Sequence, residues 1–229
     1  MTATLMTEPA SLPTTVRYGA IDQAFVDRMA GVPVEEDGPV FMLNLMRYRP
    51  WADYAEDSDR DPLPRITGRE ADDRYAPLGI LAEIGASIVL FGDVVEQHRG
   101  DEGWDRVAVV RYPTRRSFLE MQTREDFIAL HVHKDAGMER TIIALCHLAT
   151  DATHATAGGG DLLLDVVTTA HPADSSCRAH LDVEGTVVGD GRPWQTARLT
   201  LVTPGMTPVL METDGEATSV TVRPILDAF

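Results

Sequence analysis

One four-part pattern occurs twice along this chain in the same order, and it limits the possible folds more than any other feature. Residues 91–95 (Phe-Gly-Asp-Val-Val) lead through a turn to 104–113 (Trp-Asp-Arg-Val-Ala-Val-Val-Arg-Tyr-Pro). Residues 184–188 (Glu-Gly-Thr-Val-Val) lead through a second turn to 194–204, which again starts at a tryptophan and ends at a proline. Each copy reads as a β-hairpin, two runs of β-branched and apolar residues joined by Gly- and Asp-rich turn chemistry. Before each hairpin stands a short apolar strand with one polar residue inside it, Asn44 within 40–46 and Asp165 within 162–167. A further strand follows each hairpin, 140–148 and 219–225. An internal duplication accounts for this agreement in order.

Helical patterns fill the gaps between strands. Ile21, Phe25 and Met29 recur at i, i+4, i+8 and predict a helix over 21–30, stopped by Gly31 and Pro33. Ala71, Tyr75, Leu78 and Leu81 predict one over 68–84, with Pro77 kinking it or opening its second part and Gly85 as its left-handed stop. Thr114 is placed to cap a helix, and Thr123 to Asp126 have capping-box spacing for another that runs to Ala136 and stops at Gly137. Residues 51–65 read as a surface loop. In the second copy the helices shrink to 173–178 and 206–212.

The order β-α-β-β-α-β is that of a ferredoxin-like unit. The expected architecture is therefore α+β: two tandem ferredoxin-like βαββαβ units, the second reduced, with their antiparallel sheets packed face to face as a pseudo-dimeric α/β barrel. The expected boundaries are a disordered tail over 1–20, a first domain with an N-terminal helix over 21–148, a Gly-rich linker over 149–160 and a degenerate repeat over 161–229. A sheet covered by helices on one face keeps an apolar face that needs a partner. The second sheet would supply it and enclose a hollow suited to a small ligand.

Charge and composition narrow the function. Acidic residues outnumber basic ones 36 to 20 in 229 residues, a formal charge of −16. So negative a surface repels phosphate backbones, which argues against nucleic-acid binding. The apolar runs are of strand length, far short of the roughly 20 residues that cross a bilayer, and the start of the chain shows no secretory signal. A cytoplasmic protein with no membrane partner is expected. Cys146 and Cys177 lack CxxC spacing and read as reduced thiols, and the seven histidines show no zinc-ligand spacing.

Several separate motifs resemble one family. These are 41–48 (Phe-Met-Leu-Asn-Leu-Met-Arg-Tyr), 68–71 (Gly-Arg-Glu-Ala), 104–113 and 133–137 (His-Lys-Asp-Ala-Gly). Over residues 40–148 the chain is similar to the domain of unknown function 1330 family within the dimeric α/β-barrel superfamily. That resemblance implies a ferredoxin-like fold, dimeric barrels and no settled reaction. The wider superfamily includes cofactor-free monooxygenases, isomerases, polyketide cyclases, dehydratases and haem-degrading enzymes. In the family a His-Arg pair stands where His133 and Lys134 stand here.

The candidate site follows from residue chemistry. His133 titrates near neutrality and is the candidate general acid or base. Asn44 is a polar group inside an apolar strand and needs either a backbone or a ligand partner. These two are the expected catalytic pair. Tyr75 on the apolar stripe of its helix, Arg140 at the start of a strand, Met42, Met46 and His131 are the expected substrate-binding residues. His131 lies about 200° around the helix from His133, so the two make poor partners for one metal, whereas His131 and Asp135 share a face. The expected function is cofactor-independent acid/base chemistry of lyase, isomerase or cyclase type on a small molecule, with a homodimer possible. The alternatives are a haem-binding monooxygenase with a histidine axial ligand, and a non-catalytic binding or scaffolding protein.

Overall fold

The computed structural model describes residues 16–55, 65–149, 160–173 and 177–229. Most of the expected tail, of the 149–160 linker and of the 51–65 loop, and the middle of the expected 173–178 helix, lie outside the described residues. Nine strands occur: β1 (Ala20–Ile21), β2 (Val40–Tyr48), β3 (Ser87–Arg99), β4 (Arg106–Tyr112), β5 (Met138–Leu148), β6 (Leu162–Val167), β7 (Ala179–Gly189), β8 (Thr196–Leu201) and β9 (Ala217–Asp227). Five helices accompany them: α1 (Gln23–Ala30), α2 (Gly68–Tyr75), α3 (Leu78–Glu83), α4 (Arg115–Met121) and α5 (Glu125–Gly137).

The strands form one sheet in the order β1-β7-β5-β2-β4-β3-β9-β6-β8, and β8 pairs back onto β7. Eight strands thereby close into an antiparallel barrel, with β1 as an added strand outside the ring. This overturns the expected architecture of two tandem ferredoxin-like α+β units with separate sheets packed face to face. The two halves are hydrogen-bonded into one wall through β5–β7 and β3–β9. Register shifts interrupt both seams, three along β3–β9 and two along β5–β7. Each shift bends and twists the strand locally, and the accumulated bend is what lets a sheet curl shut instead of ending in two edges.

Closure decides where the core sits. Strand residues alternate between the faces of the wall. Phe41, Leu43 and Leu45 of β2 point inward and meet Val107, Val109, Ile142, Leu164, Leu181, Leu199, Val220 and Trp194 from the rest of the ring. An eight-stranded ring is just wide enough for side chains to fill it. The expected hollow between two sheets is therefore a packed core.

The helices are unevenly distributed. All five lie in the first half, and none of the described residues of the second half is helical. The expected 206–212 helix is an extended segment, because Pro204, Pro208 and the left-handed Gly205 (φ +79°) deny it a continuous run of helical backbone. Ala173, Cys177 and Arg178 are likewise non-helical. In place of a helix, the extended segment crosses the outside of β6, and the Met211 amide donates to the Asp165 carboxylate at 3.1 Å.

The first half follows its local signals more closely. Asp22 caps α1 by accepting from the Phe25 amide, and Thr114 and Ser117 form a reciprocal capping box on α4. The expected long helix over 68–84 is two helices, broken at Ala76–Pro77, with α2 capped by Thr67 and Glu70. Thr123 does not cap α5; its hydroxyl bonds back to the Glu120 carbonyl, and α5 starts after Arg124 without a side-chain cap. Where α2 and α5 cross, Gly68 and Gly137 touch, and a Cβ on either would meet the other's carbonyl oxygen. Two glycines thus bring α5 close to the wall.

Asp165 anchors the second half. Fully buried, it accepts from Arg99 Nη2 at 2.8 Å, Ser219 Oγ at 2.5 Å, Arg198 Nη2 at 3.4 Å and the Met211 amide. It ties β3, β6, β8, β9 and the covering segment into one network. Removing one partner of a buried ion pair costs about 3–5 kcal/mol, because the others keep their desolvation cost. Asp165→Ala is expected to lose that much in urea unfolding, and a loss below about 1 kcal/mol would show that the network is dispensable.

Candidate functional site

A cavity of about 350 Å³ lies on the outer side of the barrel wall, under the helices. Its floor is the outward face of three strands in register: Met42, Asn44 and Met46 of β2, Val110, Ala108 and Arg106 of β4, and Ile143 of β5. Ala108 pairs with Asn44 at the centre of this floor. A methyl group flanked by larger side chains leaves depth there. The roof comes from α2, α4 and α5 and from the segment before β1, and Asp73, Ala76 and Leu78 at the break between α2 and α3 are both exposed and lining, so they mark the rim.

One face of α5 lines the cavity. Phe127, His131 and Lys134 follow at i, i+4 and i+7 and all line the cavity. His131 Nε2 shares a hydrogen bond of 2.9 Å with the Tyr18 hydroxyl, and the rings of Tyr75 and Phe127 stand about 6 Å from the imidazole. Burial, aided by the Lys134 charge, lowers the His131 pKa from 6.5 to about 4, so this histidine is neutral at physiological pH. Arg17 fixes the segment that carries Tyr18: its backbone amide and Nε donate to Asp135 at 2.9 and 2.6 Å. Asp135 therefore serves Arg17 and not His131.

Lys134 is the unusual group. Its residue is 6 % exposed, and its Nζ lies 5.3 Å from the centre of the Tyr75 ring and 5.8 Å from that of Tyr18. Among the described residues the amine has no hydrogen-bond partner and no ion pair. Desolvation lowers its pKa from 10.5 to about 8, against the opposing pull of the Asp72 carboxylate. Asp72 is itself engaged, accepting from Tyr48 Oη at 2.6 Å and from Arg106 Nη1 at 3.1 Å. Arg106 also bonds Asp73 and Asp93, both at 3.2 Å.

Three further polar groups reach the cavity unpaired. Neither the Tyr75 nor the Tyr112 hydroxyl has a hydrogen-bond partner among the described residues, and burial raises both phenols well above their ordinary pKa, so they remain protonated donors. Asn44 spends its amide N–H on the Met42 carbonyl at 3.0 Å, which leaves its side-chain oxygen without a described partner.

The expected site residues are divided by the structure. Asn44, Met42, Met46, Tyr75 and His131 meet in the cavity. His133 does not: it lies in a shallow outer depression with Pro77, Ile80 and Asp126, and its Nδ1 is 2.7 Å from the Tyr54 hydroxyl. Arg140 is exposed and lines no part of the cavity. Lys134, Tyr112 and Tyr18 escaped the sequence reading. For Lys134 a signal was present: of 20 basic residues it is the single lysine, and it stands on the Phe127–His131 stripe.

No family model and no curated protein matches the chain. Among solved structures, it is similar to the RPA0582 protein of unknown function from Rhodopseudomonas palustris, at 27% identity with a TM-score of 0.48, over 57% of this chain and 95% of that one. A structure of methylated RPA0582 protein gives 25% identity and a TM-score of 0.47, over 60% and 94% of the two chains.

The buried amine has a measurable signature in stability. Between pH 8 and 10.5 the unfolded chain holds the Lys134 proton more tightly than the folded one, so folding stability from this group rises with pH across that window and is lowest below pH 8. Lys134→Met is expected to be more stable than the parent at pH 7 and to lack a rise on the order of 2 kcal/mol between pH 8 and 9.5. Chemical unfolding of the two proteins in parallel checks this, since their tyrosines cancel in the comparison. Parallel profiles would mean that Lys134 is solvated.

Proposed function

We propose that the protein is a cofactor-independent acid/base enzyme of lyase, isomerase or cyclase type, acting on a small and mostly apolar carbonyl compound in the cavity outside the barrel wall. The observation that carries this reading is the Lys134 amine, buried in a largely apolar cavity with no hydrogen-bond or ion-pair partner among the described residues. A base or acid with a pKa near the working pH gives the best compromise between being in the right protonation state and moving the proton. Lys134 meets that condition and takes the role first expected of His133.

The substrate class follows from the other unpaired groups. An apolar floor and aromatic roof favour a hydrocarbon or aromatic body. The Tyr75 and Tyr112 hydroxyls are neutral donors suited to a carbonyl oxygen, and they gain most where that oxygen becomes an enolate. Asn44 orients the substrate from the floor. His131, neutral and bonded to Tyr18, holds the aromatic wall.

Haem fits this donor set poorly. The cavity histidine, His131, has its Nε2 engaged by Tyr18, and His133 lies outside the cavity. A purely binding role is the second reading, favoured by the apolar cavity itself. No helix among the described residues is long and apolar enough to cross a membrane. A cytoplasmic setting belongs to the proposal because it would keep the buried Cys146 thiol reduced.

Proton exchange tests the chemistry without a known substrate. Incubating the full chain in D₂O with small apolar ketones, and following the α-protons by NMR, is expected to show exchange that Lys134→Met slows by about 100-fold or more. Equal exchange in both proteins, or none with any ketone, would overturn the enzymatic reading.

A further inference from the structure

We infer that Lys134 is an imine-forming amine, which takes the carbonyl carbon of apolar aldehydes or ketones as a covalent partner inside the cavity. This rests on the acid/base reading above and makes it more specific.

Four observations support a neutral carbonyl over a carboxylate. First, the site already has its full share of anions. Asp72, Asp73 and Asp93 surround Arg106, with Arg69 reaching Asp93 at 2.5 Å. Three carboxylates face two guanidinium groups, so the cluster is net negative without Lys134. A carboxylate ligand would leave an excess negative charge in an apolar space, whereas a carbonyl adds none. Second, the charge of Arg106 is already countered by Asp72, Asp73 and Asp93 through its Nε and Nη1, which weakens it as an anion clamp. Third, the Tyr75 and Tyr112 hydroxyls can donate to a carbonyl oxygen and then to the hydroxyl of an addition intermediate. Fourth, residue choice points the same way. Every other basic side chain is arginine, which stays protonated in proteins, and the single lysine sits where a free amine can be generated by desolvation.

The reaction balances without a redox partner. Lys134 Nζ, after releasing its proton, attacks the carbonyl carbon. The C–N bond forms as the C=O π pair moves to oxygen, which is protonated to give a carbinolamine. Nitrogen then expels that oxygen as water, leaving C=N. The overall change is amine plus carbonyl to imine plus water.

Borohydride trapping reads the imine directly. The full chain is treated with hexanal or with benzaldehyde in the presence of sodium cyanoborohydride, which delivers hydride to the iminium carbon and fixes it as a secondary amine. Peptide mass spectrometry then locates the adduct. With one lysine in the chain, the competing amine is the N-terminus. The expected result is an adduct on Lys134 that forms at least tenfold faster in the folded protein than in urea, and is slowed at least tenfold in folded Ala108→Phe, which fills the cavity floor. An adduct confined to the N-terminal amine, or labelling of Lys134 no faster folded than unfolded, would overturn the inference. Should circular dichroism show that Ala108→Phe does not fold, competition by a non-reactive apolar probe, cyclohexane-saturated buffer, replaces it: protection of Lys134 supports the cavity site and no protection refutes it. The α-proton exchange separates the two claims. Exchange without trapping leaves acid/base catalysis standing and removes the imine, and trapping without exchange does the reverse.

Discussion

Burial of β2 on both faces is the constraint on which the structure depends. Its inward residues belong to the filled barrel, and its outward residues must be covered by something else. The helices of the first half provide that cover. Because Ala108 and Asn44 are short and adjacent at the centre of the outward face, the cover does not fill completely. The cavity lies over these short side chains, on the opposite side of the wall from the barrel interior.

Once the space exists, its polar contents are fixed by helix geometry. The Gly68–Gly137 contact packs α5 closely against α2, and one face of α5 brings Phe127, His131 and Lys134 to the cavity. A lysine carried there loses its water and finds aromatic rings in place of acids. The nearest carboxylate, Asp72, is held by Tyr48 and Arg106. The result is a desolvated amine whose charge is expensive, which is the physical origin of its lowered pKa and of the chemistry proposed for it.

The two halves of the chain solve the covering problem differently. In the first half five helices cover the wall and leave a cavity. In the second, the extended segment that carries Met211 crosses β6 and is hydrogen-bonded to Asp165. Asn44 and Asp165 are each a polar residue inside an apolar strand. One faces a cavity with an oxygen that has no partner among the described residues, and the other accepts from Arg99, Ser219, Arg198 and a backbone amide. A polar residue within a buried strand is thus a candidate binding group in one case and a structural anchor in the other.

Much of this was legible in the sequence. The strand segments, the Pro77 break, the Thr114 cap and the α1 stripe of Phe25 and Met29 follow from spacing and local hydrogen bonding, which act within a few residues. Asn44 and Tyr75 are legible as site candidates because a polar or aromatic group stands in an apolar strand or stripe, and Met42 and Met46 share the face of Asn44. The tertiary structure decided what local signals do not encode: that the strands close into one ring, that side chains fill that ring, and that the cavity lies under the helices. Closure depends on β7 meeting β8 and on bulges at the seams, which are long-range pairings with no mark in the local pattern. It also decided which of two neighbouring residues matters, since a rotation of about 100° per residue on α5 turns Lys134 toward the cavity and His133 away from it.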